Sequence, residues 1–302
     1  MNKRFFSRFD VPLVIIVCLA AFLNLYNIWT EEYVNTYYTT AVAAMMENFH
    51  NFFFVSLDSA GSVTVDKPPV TFWIQTISAL IFGLEGWSVI LPQAISGMGS
   101  VILMYILVKP SFGTIAARLS ALAMAITPVA VAVSRTNNID SMLVFTLLLA
   151  TWLLFKGIRK QHTWTIIGAF AVVGVAFNMK MLQAYMILPA FYLFYLLAFR
   201  QNWKKKIGVL SGATAVLLVI SLSWAVIVDT IPEDQRPFVG SSDTNSVLEL
   251  AFGYNGAARL TGNQGGPGDG GGNMRQGTIM EIRLLVILEQ TKIIKRIHFK
   301  EK

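Results

Sequence analysis

Charge is scarce in this chain: 14% of its 302 residues are charged and 55% are hydrophobic, whereas a soluble domain is about a quarter charged. A chain of this size could not hide that much apolar surface, so a soluble globular fold is excluded. Cysteine is nearly absent. The single one, Cys18, lies inside the first apolar run and supports neither an internal disulfide framework nor a cysteine-based metal site. There is no Walker motif, no Rossmann glycine signature at a strand-to-helix turn and no HExxH pair, so nothing calls for a nucleotide, a metal or another cofactor. Nor is there an internal repeat of the kind that marks many transporters. The formal net charge is +7, but in a membrane protein such an excess records which loops face the cytoplasm and does not point to nucleic acid.

What the chain does have is apolar runs that reach the roughly 18 to 20 residues needed to cross a bilayer core of about 30 Å. The first, Val11 to Trp29, follows a basic MNKRFFSR start and has no small-residue cleavage site behind it, so it reads as a retained helix. Others lie at about 88–108, 113–133, 139–156, 163–178, 182–199 and 207–228, giving about seven spans in an all-α, polytopic bundle. The basic residues fix its direction. Lys3 and Arg4, Lys109 and Arg118, Lys156, Arg159 and Lys160, and Arg200 with Lys204 to Lys206 mark cytoplasmic ends under the positive-inside rule. That alternation requires the run 68–83, entered through Lys-Pro-Pro, to lie along the membrane, and proline suits the first turn of such a helix. Four segments then face outward: about 30–87, 134–139, 179–181 and everything from Asp229. Within the first, Thr36 to Phe49 reads as an interfacial helix anchored by the Phe52 to Phe54 cluster.

The polar residues needing a reason fall in those segments. Asp58 and Asp66 taken alone are ordinary loop charges. Asp140 opens an apolar helix after SRTNNID, where it, Asn137 or Asn138 could cap the helix. Lys180 sits between two apolar runs on the side that disfavours cations, which marks it as functional by default. Asp66, Lys67, Arg135, Asp140 and Lys180 all fall at outer helix ends, so they could converge on one membrane-level cavity. Such a set suits transfer of a sugar from a polyprenyl phosphate: a carboxylate takes the acceptor's proton and cations neutralise the departing phosphate.

The ordered set Asn35-x-Tyr-Tyr, FFF-x-S-x-D, VDKPPVTFW with LIFG, SRTNNID and NMKMLQA resembles the GT-C membrane glycosyltransferases of the protein O-mannosyltransferase and lipid A aminoarabinose transferase type, over residues 10 to 262. It resembles in particular bacterial mannosyltransferase-type members whose outer loop carries GYNGxxRLTGN, matched at 253–263. The resemblance implies a GT-C bundle with juxtamembrane helices in the first outer loop, Lys67 and Lys180 as donor-phosphate contacts, and Asp140 as an active-site carboxylate. Arg135 joins the phosphate-binding candidates. Many relatives place an Asp-Glu pair before the first tyrosine, with the Asp as proposed base, whereas the matching positions here are Val34 and Asn35. That leaves Asp66, Asp58 or Glu32 as the base, with Asp66 favoured.

The expected organisation is a transmembrane module over 1–228, an outer glycine-rich loop over 229–279 and a basic tail over 280–302, the last suggesting a truncated or frameshifted product. The expected partners are a polyprenyl-phosphate sugar donor, a lipid, glycan or protein acceptor and membrane lipids. Transfer is expected to be inverting, independent of metal and on the extracytoplasmic face of the cell membrane. A transporter or lipid flippase is the rival reading, though charges confined to one side fit alternating access poorly; an inactive remnant is the third.

Overall fold

A computed structural model describes residues 10–33 and 35–253. Among them are eleven α-helices and no strand beyond isolated bridges. Helix α1, Val11–Leu25, is started by Asp10, whose carboxylate accepts from Leu13 N at 3.3 Å, and by Pro12 in the first turn, where its missing N–H costs nothing. Three short helices follow: α2 (Thr36–Met45), α3 (Phe49–Phe54) and α4 (Val70–Phe82). Then come α5 (Gly86–Ile126), α6 (Pro128–Ser134), α7 (Asp140–Lys160), α8 (Thr163–Lys180), α9 (Leu188–Ala198), α10 (Trp203–Thr230) and α11 (Val247–Phe252).

Among the described residues five segments are long and apolar enough to cross a membrane: 11–30, 86–126, 140–160, 163–198 and 203–230. Two of them double back. Helix α5 breaks at Gly113, whose φ of 83° is open to glycine. Beyond the break Ala117, Ala121 and Ala125 pack in one core with Val101 and Tyr105 before it and with Ile16 and Ala20 of α1. The 163–198 segment breaks at Met181, and Phe170 of α8 meets Phe191 of α9 at 6.0 Å between ring centroids. The five segments therefore fold as seven limbs of a polytopic membrane bundle.

Two expected runs are subdivided. The run 113–133 ends as a helix at Ile126, and Pro128 opens α6, a first-turn position that suits proline. The run 182–199 begins as a 3-10 turn, Met181–Ile187. The expected helix from Thr36 to Phe49 is two, separated where Asn48 caps α3 by accepting from Asn51 N at 2.8 Å. Its aromatic cluster is mainly interior packing. Phe52 and Phe53 stack on Trp73, whose indole N–H donates to Phe52 O at 2.8 Å, and Trp224 donates to Phe53 O at 3.1 Å.

Helix α4 has thirteen residues, about 20 Å at 1.5 Å each, which is too short to cross. Its burial is inverted relative to a soluble helix. Thr71, Gln75, Thr76 and Ser78 point inward, while Ile74, Ile77, Leu80, Ile81 and Phe82 are exposed, the pattern of a helix whose outer face meets lipid.

The segment after α10 is described through Gly253 and includes the short helix α11. Asp229 accepts from Ser246 Oγ, Val247 N and Leu248 N at 2.7, 2.8 and 3.0 Å, which caps α11. The glycine stretch from Gly262 and the tail 280–302 lie outside the described residues.

Candidate active site

Two lysine–carboxylate pairs occupy one end of the bundle. Lys67 Nζ donates to the carboxylate of Asp66, its chain neighbour, and to the Asp66 carbonyl at 3.2 Å. Lys180 Nζ donates to Asp140 Oδ1. Lys67 is nearly sealed, with a side chain 5% exposed, whereas the Asp140 side chain is 42% exposed. The second pair is thus the open one.

Local structure explains the second pair. Asp140 is the first residue of α7, and its N–H is capped by Asn138 Oδ1 at 2.9 Å. The capping role therefore belongs to Asn138, and the Asp140 carboxylate is left for Lys180. Lys180 ends α8, which runs antiparallel to α7, so an anion sits at a helix N-terminus and a cation at a helix C-terminus, each favoured by the macrodipole. The residue after Lys180 carries strain: Met181 is buried with φ 49° and ψ −135°, a conformation that L-residues rarely adopt and that clusters at functional sites.

The two pairs are drawn together by their flanks. Val65 precedes Asp66, Ile139 precedes Asp140, and Met179 and Met181 bracket Lys180; all four are buried in one hydrophobic cluster with Phe72 of α4 and Trp224 of α10. Polar ties reinforce it. Asn137, fully buried, accepts from Asn35 N at 2.9 Å and donates to Asn35 O at 3.0 Å and Thr39 Oγ1 at 2.7 Å. Gln75 Nε2 reaches Asn138 O at 3.5 Å.

The remaining candidates have other work. Arg135 donates to Leu23 O at 3.2 Å, Tyr26 O at 2.8 Å and Glu31 Oε1 at 2.7 Å, so it ties α6 to the end of α1. Asp58 accepts from Ser62 N, Ser62 Oγ and Val63 N at 3.1, 2.7 and 3.1 Å, closing a turn. Glu32 is exposed, and its carbonyl abuts Gly86 at the start of α5. In the sequence Asn137 reads only as a possible helix cap, and Glu31 and Asp229 are not singled out. Asp229 gave one signal, a carboxylate closing a long apolar run.

An apolar cavity of about 250 Å³ opens beside Asp140, between α1, both limbs of α5, α6 and α7, and is lined by Asn24, Gly97, Ser100, Met124, Val133 and Val144 among others. Among the described residues no three His, Cys, Asp or Glu side chains gather as a metal-ligand set.

A membrane bundle with short surface helices between its first two long segments is the GT-C architecture. The oligosaccharyltransferase of Archaeoglobus fulgidus superposes with a TM-score of 0.59 at 17% identity, over 85% of this chain and 33% of that one. ArnT from Cupriavidus metallidurans superposes at 0.56 and 20% identity, over 72% and 41%. The chain belongs to the dolichyl-phosphate-mannose-protein mannosyltransferase family, whose model matches residues 66–224. Two relatives from Bacillus subtilis (strain 168) are named "Putative mannosyltransferase YkcB", 64% identical over 264 residues, and "Putative mannosyltransferase YycA", 58% identical over 275. This chain spans 37% and 40% of their lengths and is itself covered to 87% and 89%.

Proposed function

We propose that this chain carries the donor site of a glycosyltransferase that moves a sugar from a polyprenyl-phosphate-linked donor to a hydroxyl of a lipid, glycan or protein acceptor. The reading rests on one observation: two lysine–carboxylate pairs at one end of a membrane bundle, their flanking residues sharing one core. In a single displacement the acceptor oxygen bonds to the anomeric carbon while the bond from that carbon to the phosphate oxygen breaks, which inverts the anomeric centre. The acceptor proton passes to a carboxylate, for which Asp66 is the candidate. Lys67 and Lys180 neutralise the phosphate monoester as it leaves. This is electrostatic stabilisation of developing charge in a site shielded from water. Asp140 holds Lys180 until the phosphate competes for it. Asp58 and Arg135 serve as scaffold, and Glu32 is the alternative base.

The seven limbs are read as seven spans, with the N-terminus cytoplasmic and the site extracytoplasmic in the cell membrane. The basic residues support this direction, since Arg118 pairs with Asp10 and Arg159 donates to Ser111 at the opposite end from the lysine–carboxylate pairs. Cysteine labelling from outside should reach positions near Ser59 and Glu85; labelling of Glu85 only from the cytoplasm would invert the arrangement.

The test of function is incubation of the protein, in nanodiscs, with polyprenyl-phosphate sugars, following donor retention and released polyprenyl phosphate. Lys67→Met and Lys180→Met should each weaken donor retention, Lys67→Met the more, while still inserting. If the wild type retains no donor, or both variants retain it as the wild type does, the proposal is wrong.

A further inference from the structure

Asp66 and Lys67 lie in neither a helix nor a strand, yet two opposed charges placed at fixed positions need a rigid support. Three backbone stretches supply one. Leu57 N donates to Val63 O at 2.8 Å and Val65 N to Val55 O at 3.0 Å, which makes a narrow hairpin. Asp58 closes its tip. The third stretch comes from far along the chain, where Thr64 N donates to Phe238 O and Phe238 N to Ser62 O, both at 2.9 Å.

Gly240 completes the junction. Its N–H donates to Thr64 Oγ1 at 3.1 Å, and a Cβ there would collide with the Thr64 carbonyl oxygen. Thr64 is buried, and its hydroxyl also donates to Val65 O at 3.0 Å. The segment is held at both margins. Arg236 donates to Asp229 Oδ1 at 3.0 Å, α11 is capped by the same carboxylate, and Val239 enters the hydrophobic cluster that contains Val65, Met179 and Met181. The last backbone bonds of this small platform fall one residue before Asp66.

We infer that residues 231–253 form a strap that positions the Asp66–Lys67 pair for a phosphate monoester, with Thr64 and Gly240 as its positioning residues. This rests on the donor reading above and goes beyond it, because it assigns site geometry to a segment separated by some 170 residues from the pair it serves. It also gives Asp58 a defined task, since its carboxylate sets the hairpin and takes no proton. Loss of the Thr64 hydroxyl leaves the partly buried Gly240 N–H without its acceptor, which loosens the strap where it meets the hairpin.

The experiment compares Thr64→Val, Thr64→Ser, Gly240→Val and Lys67→Met in the intact chain in nanodiscs. A photoreactive polyprenyl phosphate is the probe, with hydrogen exchange and thermal unfolding measured on the same samples. Thr64→Val should weaken probe capture about tenfold, speed amide exchange across 62–67 and 238–240, and leave exchange in the long helices unchanged. Thr64→Ser, which keeps the acceptor, should capture as the wild type does. Gly240→Val should act like Thr64→Val or more strongly; should it fail to fold, the two Thr64 variants still decide. Wild-type capture by Thr64→Val, or a Thr64→Ser variant as impaired as Thr64→Val, overturns the positioning role. If in that case Lys67→Met still loses the probe, the donor reading survives alone. If the folded wild type captures no probe, both fall.

Discussion

The two ends of the bundle both join distant elements through ion pairs, but they use different backbone to do it. At the basic end Asp10 accepts from Arg118 Nε at 2.9 Å and from Tyr105 Oη, while Lys109 donates to Tyr105 Oη at 2.8 Å. These groups sit on regular helices or at their caps, and the network closes on itself, locking the start of α1 to both limbs of α5. At the other end Asp140 and Lys180 also sit at the ends of regular helices, but irregular backbone adjoins the charges: Lys67 follows a hairpin that needs a strap, and Lys180 precedes the strained Met181. Strain persists only where surrounding packing over-determines it. The comparison teaches that charge near helix ends can serve as a fastener or as a site, and that the backbone beneath it tells the two apart.

The largest effect expected from that contrast is at Lys67. Lys67→Met should reduce polyprenyl-phosphate retention by at least about a hundredfold, and it should also destabilise the fold by about 3–5 kcal/mol because the Asp66 carboxylate loses its cation in a largely buried place. The double variant Asp66→Asn with Lys67→Met separates the two consequences. It should regain stability in thermal unfolding and still not retain donor; recovery of both would make the pair a fastener like the one at the other end.

Next in size is the open pair. Lys180→Met and Asp140→Asn should each weaken donor retention about tenfold, and the double-mutant cycle should show coupling of about 1–2 kcal/mol, as expected for groups in direct contact. Additive effects would mean that the two side chains act separately on the donor.

How much of this was legible in sequence depends on the range of the forces. The limbs were readable because apolar run length and positive charges act locally, and the alternation of the basic clusters kept the run 68–83 out of the crossing set, with the Lys-Pro-Pro entry in agreement. Lys180 stood out because a cation between two apolar runs needs a partner. The partner itself was less plain: Asn138 taking the cap, and so freeing Asp140, follows from the turn at 134–139 docking on Asn35 through Asn137. Arg135 is grouped with the site by its place at an outer helix end and Asp58 as an alternative base, and only the folded chain shows the backbone they hold, through long-range bonds for Arg135 and a local turn for Asp58. The clamp from Phe238 and Gly240 onto Thr64 left no local trace, since main-chain bonding between segments this far apart has no composition signature.

A smaller effect is expected from breaking the basic end. Asp10→Asn should leave donor retention at the wild-type level and lower the unfolding temperature. The hydrogen bond from Tyr105, with further help from Arg118 against the cost of burial, holds the Asp10 carboxyl below its ordinary value of 3.8. A carboxyl depressed in this way adds stability that is present above its unfolded pKa and is lost as the pH falls through the folded one. The wild type should therefore lose stability below about pH 3.8, and the Asn variant should lose less over the same interval. Loss of donor retention in Asp10→Asn at neutral pH would show that the two ends are coupled.

The smallest effect is expected in the strap. Burial raises the Glu249 pKa, but the N–H groups of Asp243 and Thr244 and the Thr244 hydroxyl, all donating to its carboxylate, outweigh that and leave it below the usual value of 4.5. Its contribution is complete above that value and fades as the pH falls through the depressed one. Glu249→Gln keeps the size and some accepting capacity while removing the charge, so at neutral pH amide exchange should quicken at 243–249 and hardly change at 62–67. The reason is that Thr64, Phe238 and Gly240 make the junction with the hairpin, whereas Glu249 only ties the strap's far margin to α11. Equal quickening at 62–67 and 243–249 would mean that the strap opens as one unit, and a change at Glu249 would then reach Lys67 as readily as a change at Thr64.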